Sequence, residues 1–201
     1  IVQGFGNVGS NTAILLSQLG MICIGVADHT RCIKSEEGFN VYKLQQHCKE
    51  HKNIEKYPYG ETIDKEDFFS IECSVIIPAA KELVIVGEQG NKLNCELVVE
   101  AANGPIDTEA EKIILDKGIE IIPDILANSG GVVVSYFEWL QNKRCEYWTK
   151  KEVLEKLETR MEETFNLVYE KSKTEEISMR NACYIIAIQK IAEKIKRRKL
   201  F

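Results

Sequence analysis

Gly4, Gly6 and Gly9 fall in the spacing G-x-G-x-x-G within Gly4-Phe5-Gly6-Asn7-Val8-Gly9. In that arrangement the first glycine permits a tight turn and the second lets the backbone approach a pyrophosphate. The third allows close packing of helix on strand. A helix opening at this point presents free N–H groups and its positive dipole end to phosphates. Ile1 and Val2 precede the turn as an apolar strand, and Val8–Leu19 follows with helical periodicity. That context separates the motif from an ordinary glycine turn. A second apolar run, Met21–Ala27, ends at Asp28, close to the ~20-residue offset of an acid that accepts a ribose 2′-hydroxyl. A carboxylate there favours NAD and repels a 2′-phosphate. His29 and Arg31, just beyond, soften the repulsion, so NAD is the expected cofactor and NADP stays open. The plainer alternative is that Asp28 is merely a solvated strand end, which the complete strand–turn–helix–strand unit disfavours.

A different chemistry is suggested by His47-Cys48-Lys49-Glu50-His51, which fits the H-x-x-E-H pattern of some zinc peptidases. The two histidines lie one helical turn apart. Their neighbours Lys43, Gln45, Gln46, Lys49 and Lys52 are polar and no distal acidic ligand stands out. A solvated helix is the expectation here, with no metal. The seven cysteines are scattered and include no Cys-x-x-Cys pair, which argues against a zinc clip or a disulfide framework. Free thiols of this kind suit a reducing, cytoplasmic compartment. A net charge of −5 disfavours bulk attraction to nucleic acid. The short basic run Lys194–Lys199 suits the C-terminus of a helix by dipole complementarity. The longest apolar run, Ala182–Ile188, is far short of the ~20 residues that cross a bilayer.

The elements that must position the glycine turn alternate between strand and helix. Strands are expected at Ile1–Gln3, Met21–Ala27, Ser74–Ile77, Leu97–Glu100 and Ile119–Ile122. Helices are expected at Val8–Leu19, Val41–His51 and Thr108–Lys117, the last opened by a Thr108/Glu111 capping box and closed by Gly118. Continuous apolar strands alternating with helices predict an α/β fold, a Rossmann-like doubly wound parallel sheet. Only two apolar residues precede Gly4, where a buried parallel strand runs to about 4–8, so a portion upstream of Ile1 is expected. After Pro123 the chain reads as helical: 128–142, a helix opened by Thr149 and Glu152 as a capping box, and 178–196. The last is apolar around most of its circumference and is expected to be largely buried. The expected division is a dinucleotide-binding domain over 1–145 and C-terminal helices over 146–201.

Several segments carry wording beyond a generic dinucleotide fold. These are Val2 to Gly9, Ile77-Pro78-Ala79-Ala80, Glu100-Ala101-Ala102-Asn103-Gly104-Pro105, Ile122-Pro123-Asp124, Asn128 to Trp139, and Met179-Arg180-Asn181-Ala182. In order and spacing they resemble the cofactor half of the glutamate dehydrogenase family, and the likeness runs through the chain. The resemblance implies reversible oxidative deamination of L-glutamate to 2-oxoglutarate and ammonia, with hydride passing to NAD(P). It further implies that Phe5, Gly6, Asn7 and Val8 meet the pyrophosphate and Asp28 the adenosine ribose. Ala79 and Ala80 would line the groove, while Asn103 and Asn128 would reach the nicotinamide end. Val132 and Ser135 would face substrate, with the Ser135 hydroxyl on the side-chain carboxylate of glutamate. A homo-oligomer, commonly a hexamer, is implied as well.

Plainer readings exist for three of these residues or pairs. Asn103 in Asn-Gly-Pro is a natural turn residue, Gly130-Gly131 would permit close helix packing, and Ser135 could bond back to a carbonyl one turn earlier. The family's catalytic lysine and aspartate lie in the preceding substrate domain, and no lysine here has the matching glycine-rich setting. No catalytic acid or base is therefore assigned in these residues. Ser129 stands where family members often carry alanine. The alternatives in function are a leucine, phenylalanine or valine dehydrogenase with the same cofactor domain, and a module that senses NAD(H) without turnover.

Overall fold

The structure is a computed structural model and describes residues 1–197; Arg198 and Lys199 of the basic run lie outside the described residues. The chain divides into two compact units, Ile1–Asp124 and a second from Ile125 onward.

The first unit holds a seven-stranded sheet. Its strands are β1 (Val2–Gln3), β2 (Gly25–Ala27), β3 (Cys32–Lys34), β4 (Glu61–Ile63), β5 (Val75–Pro78), β6 (Leu97–Val99) and β7 (Glu120–Ile122). The helices are α1 (Asn7–Gln18), α2 (Val41–His51), α3 (Gln89–Lys92) and α4 (Thr108–Asp116), with a 3-10 turn at Phe68–Ser70. The spatial order is β4-β3-β2-β1-β5-β6-β7. Strands β2, β1, β5, β6 and β7 run parallel, while β3 and β4 are antiparallel to their neighbours. The expected α/β doubly wound architecture is present, but the sheet is mixed at one edge.

Side-chain alternation builds a core on each face of the sheet. Ile1, Ala27, Ile76, Val98 and Ile121 pack with Leu93, just after α3, and with Ala110 and Ile114 from α4. Val2, Val26, Ile33 and Ile77 point the other way and meet Ala13, Val41 and Leu44 from α1 and α2. Chain direction in the sheet reverses at β1: the strands run outward through β2, β3 and β4, then resume on its other side with β5. This is a topological switch point, where loops from neighbouring strands part and leave a crevice at the carboxyl ends.

Two local expectations need correction. The run Met21–Ala27 forms a strand only over Gly25–Ala27; Met21 and Ile22 are exposed. The cap of α4 is Asp107, whose carboxylate accepts from Ala110 N–H at 2.7 Å. Thr108 is thus the first helical residue and not the cap. Gly118, at φ +79°, does follow the helix as a stop.

The second unit contains α6 (Gly130–Arg144), α7 (Lys150–Glu175) and α8 (Met179–Arg197), with the short α5 (Asp124–Ala127) leading into it. The Thr149/Glu152 capping box is formed at the start of α7. Ser172 Oγ donates to the Ile177 carbonyl at 2.6 Å, closing the turn between α7 and α8. Helix α8 buries only Met179, Ala182 and Cys183, while Tyr184, Ile188 and Ile191 are exposed. The expectation of a largely buried last helix therefore fails: the apolar positions circle the helix, but one face alone has neighbours. No helix among the described residues is long and apolar enough to cross a membrane.

Candidate cofactor site

A cavity of about 780 Å³ opens at the switch point, within the range of small-molecule and cofactor sites. Its walls come from the ends of β1 (Gln3 to Val8), β2 (Ala27 to His29) and β5 (Ala79 to Lys81). Of the residues expected at the site, Gly4, Phe5, Gly6, Asn7, Val8, Asp28, Ala79 and Ala80 line it together.

The three glycines of the turn differ in why they are glycine. Gly4 has φ +94°, and a Cβ there would lie 2.6 Å from the Ala80 backbone nitrogen. Gly9 is closed in harder, since its Cβ would stand 1.8 Å from the Gly4 carbonyl oxygen. Gly6 has an ordinary negative φ, and a Cβ on it would meet nothing within 4 Å. Folding requires the first and third, but leaves the second unexplained. The N-terminus of α1 carries no side-chain cap and no acidic residue in its first turn. Its leading N–H groups have no carbonyl one turn back to bond. A concave, uncapped helix end beside a glycine with open space fits a pyrophosphate.

Asp28 is more committed than its sequence position suggests. Its Oδ1 accepts from Thr30 N at 2.7 Å, Thr30 Oγ1 at 2.6 Å and Arg31 N at 3.1 Å. Oδ2 accepts from Ile54 N at 2.8 Å. The carboxylate therefore ties the β2–β3 turn to the segment after α2 and keeps one acceptor direction, on Oδ2. Burial pushes its pKa up, but the bonds from Thr30, Ile54 and Arg31 outweigh this and hold it below the usual carboxylate range. A group whose folded pKa is depressed stabilises fully above its unfolded value, about 3.9, and loses that contribution as pH falls through the folded value. The stability difference between the wild type and Asp28→Asn should therefore be constant from pH 5 to 8 and shrink below about pH 4. Urea midpoints across that range check it; a difference that persists unchanged in acid would show that the charge plays no part.

Asn103 sits at the carboxyl end of β6, outside the cavity lining, in a turn held from three sides. Ala102 N–H donates to the Pro78 carbonyl at 2.9 Å, and Leu83 N–H to the Gly104 carbonyl at 2.9 Å. Gly104 N–H donates to Asp124 Oδ2 at 2.8 Å, and Asp124 N–H in turn to the fully buried Glu100 at 2.7 Å. The Glu-Ala-Ala-Asn-Gly-Pro wording thus has a structural meaning: Glu100 anchors the loop that presents Asn103. Asn128, Val132 and Ser135 belong to the second unit. Val132 is 74% exposed, Ser135 is exposed three residues on, and Asn128 is half-buried. Among the described residues the Ser135 hydroxyl makes no hydrogen bond, including to the carbonyl one turn back. Ser129 Oγ donates to the Leu126 carbonyl at 2.8 Å, which accounts for a hydroxyl there.

Sequence reasoning missed Lys65, Phe68, Phe69 and Gln89, which also line the cavity. They sit in segments without apolar periodicity, so nothing local marks them. His47 and His51 meet with tilted rings, centroids 4.3 Å apart, and His47 meets Tyr57 edge-on at 5.2 Å. Burial and then the neighbouring His51 lower the pKa of His47. No group of three metal-ligating side chains occurs among the described residues.

Fold and cavity together define a class: a Rossmann-like nucleotide-binding fold. Residues 1–199 match the Glutamate/Leucine/Phenylalanine/Valine dehydrogenase family, and the chain belongs to it. It is 41% identical over 201 residues to a glutamate dehydrogenase of Thermotoga maritima, covering 100% of this chain and 48% of that protein. It is 38% identical over 198 residues to an NAD-specific glutamate dehydrogenase of Staphylococcus aureus, covering 98% and 48%. Among solved structures, the glutamate dehydrogenase of Peptoniphilus asaccharolyticus superposes with TM-score 0.82 at 36% identity, covering 100% of this chain and 47% of that one. The hetero-hexameric glutamate dehydrogenase of Thermus thermophilus in its Leu-bound form gives TM-score 0.90 at 29% identity, covering 98% and 47%. The chain spans about half the length of these relatives.

Proposed function

We propose that these residues are the cofactor half of an NAD(P)-dependent glutamate dehydrogenase, which converts L-glutamate and water to 2-oxoglutarate and ammonia. The observation that carries the dinucleotide reading is Gly6: it borders a cavity at the switch point and has open space that the fold itself does not need. Relatives named as glutamate dehydrogenases at 41% and 38% identity support the substrate. When bound, the nicotinamide accepts the hydride that leaves Cα of the amino acid. The N–H groups that open α1 hold the pyrophosphate, with Gly4, Phe5, Gly6, Asn7 and Val8 forming its cradle and Gly9 fixing the helix behind it. Asp28 offers its remaining Oδ2 direction to a ribose hydroxyl. Ala79 and Ala80 give the groove a flat wall, and Asn103 and Asn128 serve the nicotinamide end. Val132 and Ser135 face substrate, and a homo-hexamer is the proposed assembly. Calorimetry on the 201-residue chain tests the reading: it should bind NAD and not oxidise glutamate, because no acid–base pair for Cα is assigned among its residues. No heat with either dinucleotide would overturn it.

Ser135 is the most specific substrate contact. In the full-length enzyme Ser135→Ala should keep its fold, since alanine is the better helix former. Loss of one donor to a buried carboxylate costs about 1–3 kcal/mol, a fall of roughly 5- to 150-fold in kcat/KM for glutamate. Norvaline, with no side-chain carboxylate, should be affected much less. Steady-state rates with both substrates decide it; equal losses would assign Ser135 to helix packing.

A further inference from the structure

The charges around the ribose end of the cavity are not those its nearest sequence suggests. Asp28 has three neutral donors on one oxygen and one on the other, so its carboxylate is fixed in place and stays charged, and a 2′-phosphate beside it needs a cation. Arg31, the nearest cation in sequence, is turned away and does not line the cavity. Its Nε donates to Thr62 Oγ1 at 2.8 Å, and its Nη1 to the carbonyls of Tyr57 at 2.9 Å and Glu55 at 3.3 Å. A different cation takes its place. Strand β4 is antiparallel to β3, which is antiparallel to β2, so β4 runs in the same direction as β2. Ile63 pairs with Cys32 at the end of β4, and the turn that follows carries Lys65 to the carboxyl edge of the sheet. Lys65 lines the cavity with Asp28 and Glu66, and its Nζ donates to the His29 carbonyl at 3.0 Å. One neutral acceptor leaves an ammonium two further donors. The Cys32 thiol, raised mainly by burial, also feels Lys65 and Asp28 with opposite effect, which places both charges around the same corner.

We propose that Lys65 is the anchor for a 2′-phosphate and makes this site accept NADP alongside NAD. The proposal rests on the dinucleotide reading above. Lysine binds phosphate as a point charge, and here it is held at the ribose end by its bond to the His29 carbonyl. At the same position NAD carries a neutral hydroxyl in place of the charged phosphate, so the two cofactors respond differently to the loss of Lys65.

Calorimetric titration of the full chain with NAD and with NADP tests this, on wild type, Lys65→Ala, Lys65→Glu and Lys65→Arg. Wild type should bind both. Lys65→Ala should lose about tenfold in NADP affinity, Lys65→Glu more, and Lys65→Arg should retain most of it. NAD affinity should move no more than about twofold, at the level of a screened exposed charge. Parallel losses for both cofactors, or unchanged NADP binding in Lys65→Glu, overturn the role of Lys65 and leave the dinucleotide site standing. Wild type that binds NAD while rejecting NADP overturns it equally. A chain that binds neither cofactor overturns the dinucleotide reading and this proposal with it.

Discussion

Gly9→Ala is expected to destabilise the sheet unit severely. The added Cβ would stand 1.8 Å from the Gly4 carbonyl oxygen and 3.0 Å from Val2 Cγ1. Neither neighbour can retreat. The Gly4 carbonyl belongs to a turn whose N–H already donates to the Ala27 carbonyl at 2.7 Å, and Val2 is buried on the central strand. Relief therefore means lifting α1 off β1, which opens the core formed by Ala13, Val26 and Ile77. Overpacking a well-filled site ordinarily costs about 1–3 kcal/mol, and a contact with backbone belongs at or beyond the upper end. Against a total stability of about 5–15 kcal/mol for a domain, a large share is lost. Circular dichroism melts of the variant should show a strongly lowered transition or none. A melting temperature within a few degrees of wild type would mean the helix is not seated as described.

Gly6→Ala is the complementary case, three residues from the position where the same change is destructive to the fold. Its Cβ has open space and its φ is negative, so the protein should fold as well as wild type. The methyl group instead occupies the approach to the first N–H groups of α1. If a pyrophosphate is held off two of those donors, at about 1.5–3 kcal/mol for each charge-assisted bond, NAD affinity falls by roughly a hundredfold to ten-thousandfold. Calorimetry with NAD beside a thermal melt separates the two effects. Unchanged affinity would show that the backbone at Gly6 does not approach the ligand.

The contrast between these two glycines marks what the sequence makes legible. Spacing alone finds the turn, the strand before it and the helix after it, because Gly4 and Gly9 each have a steric duty in the fold. Strand β1 and helices α1, α2 and α4 were readable for the same reason: buried faces impose periodicity on the residues. The edge strands β3 and β4 were not. Cys32-Ile33-Lys34 and Glu61-Thr62-Ile63 are three residues each, too short for alternation to register. Their pairing is fixed by tertiary register with β2, which no local pattern carries. Lys65 escaped for that reason, since only β4 brings it to the cavity. The occupied state of Asp28 was equally hidden, because Ile54 N–H reaches it from across the fold. The exposed side of α8 shows the converse limit: apolar residues on every face do not say which face finds a neighbour.

The central position of β1 also bears on how the chain acquires its structure. Val2 pairs with Val26 on one side and with Ile77 on the other. The second pairing closes a long loop, and its entropy cost must be met before the contact stabilises anything. Parallel sheets assembled from such distant partners form slowly. The α7–α8 hairpin has no such delay, because its turn is closed by Ser172 and Ile177 and its helices are consecutive. The glycine turn at the end of β1 therefore cannot be fixed on both sides until β5 has joined the sheet.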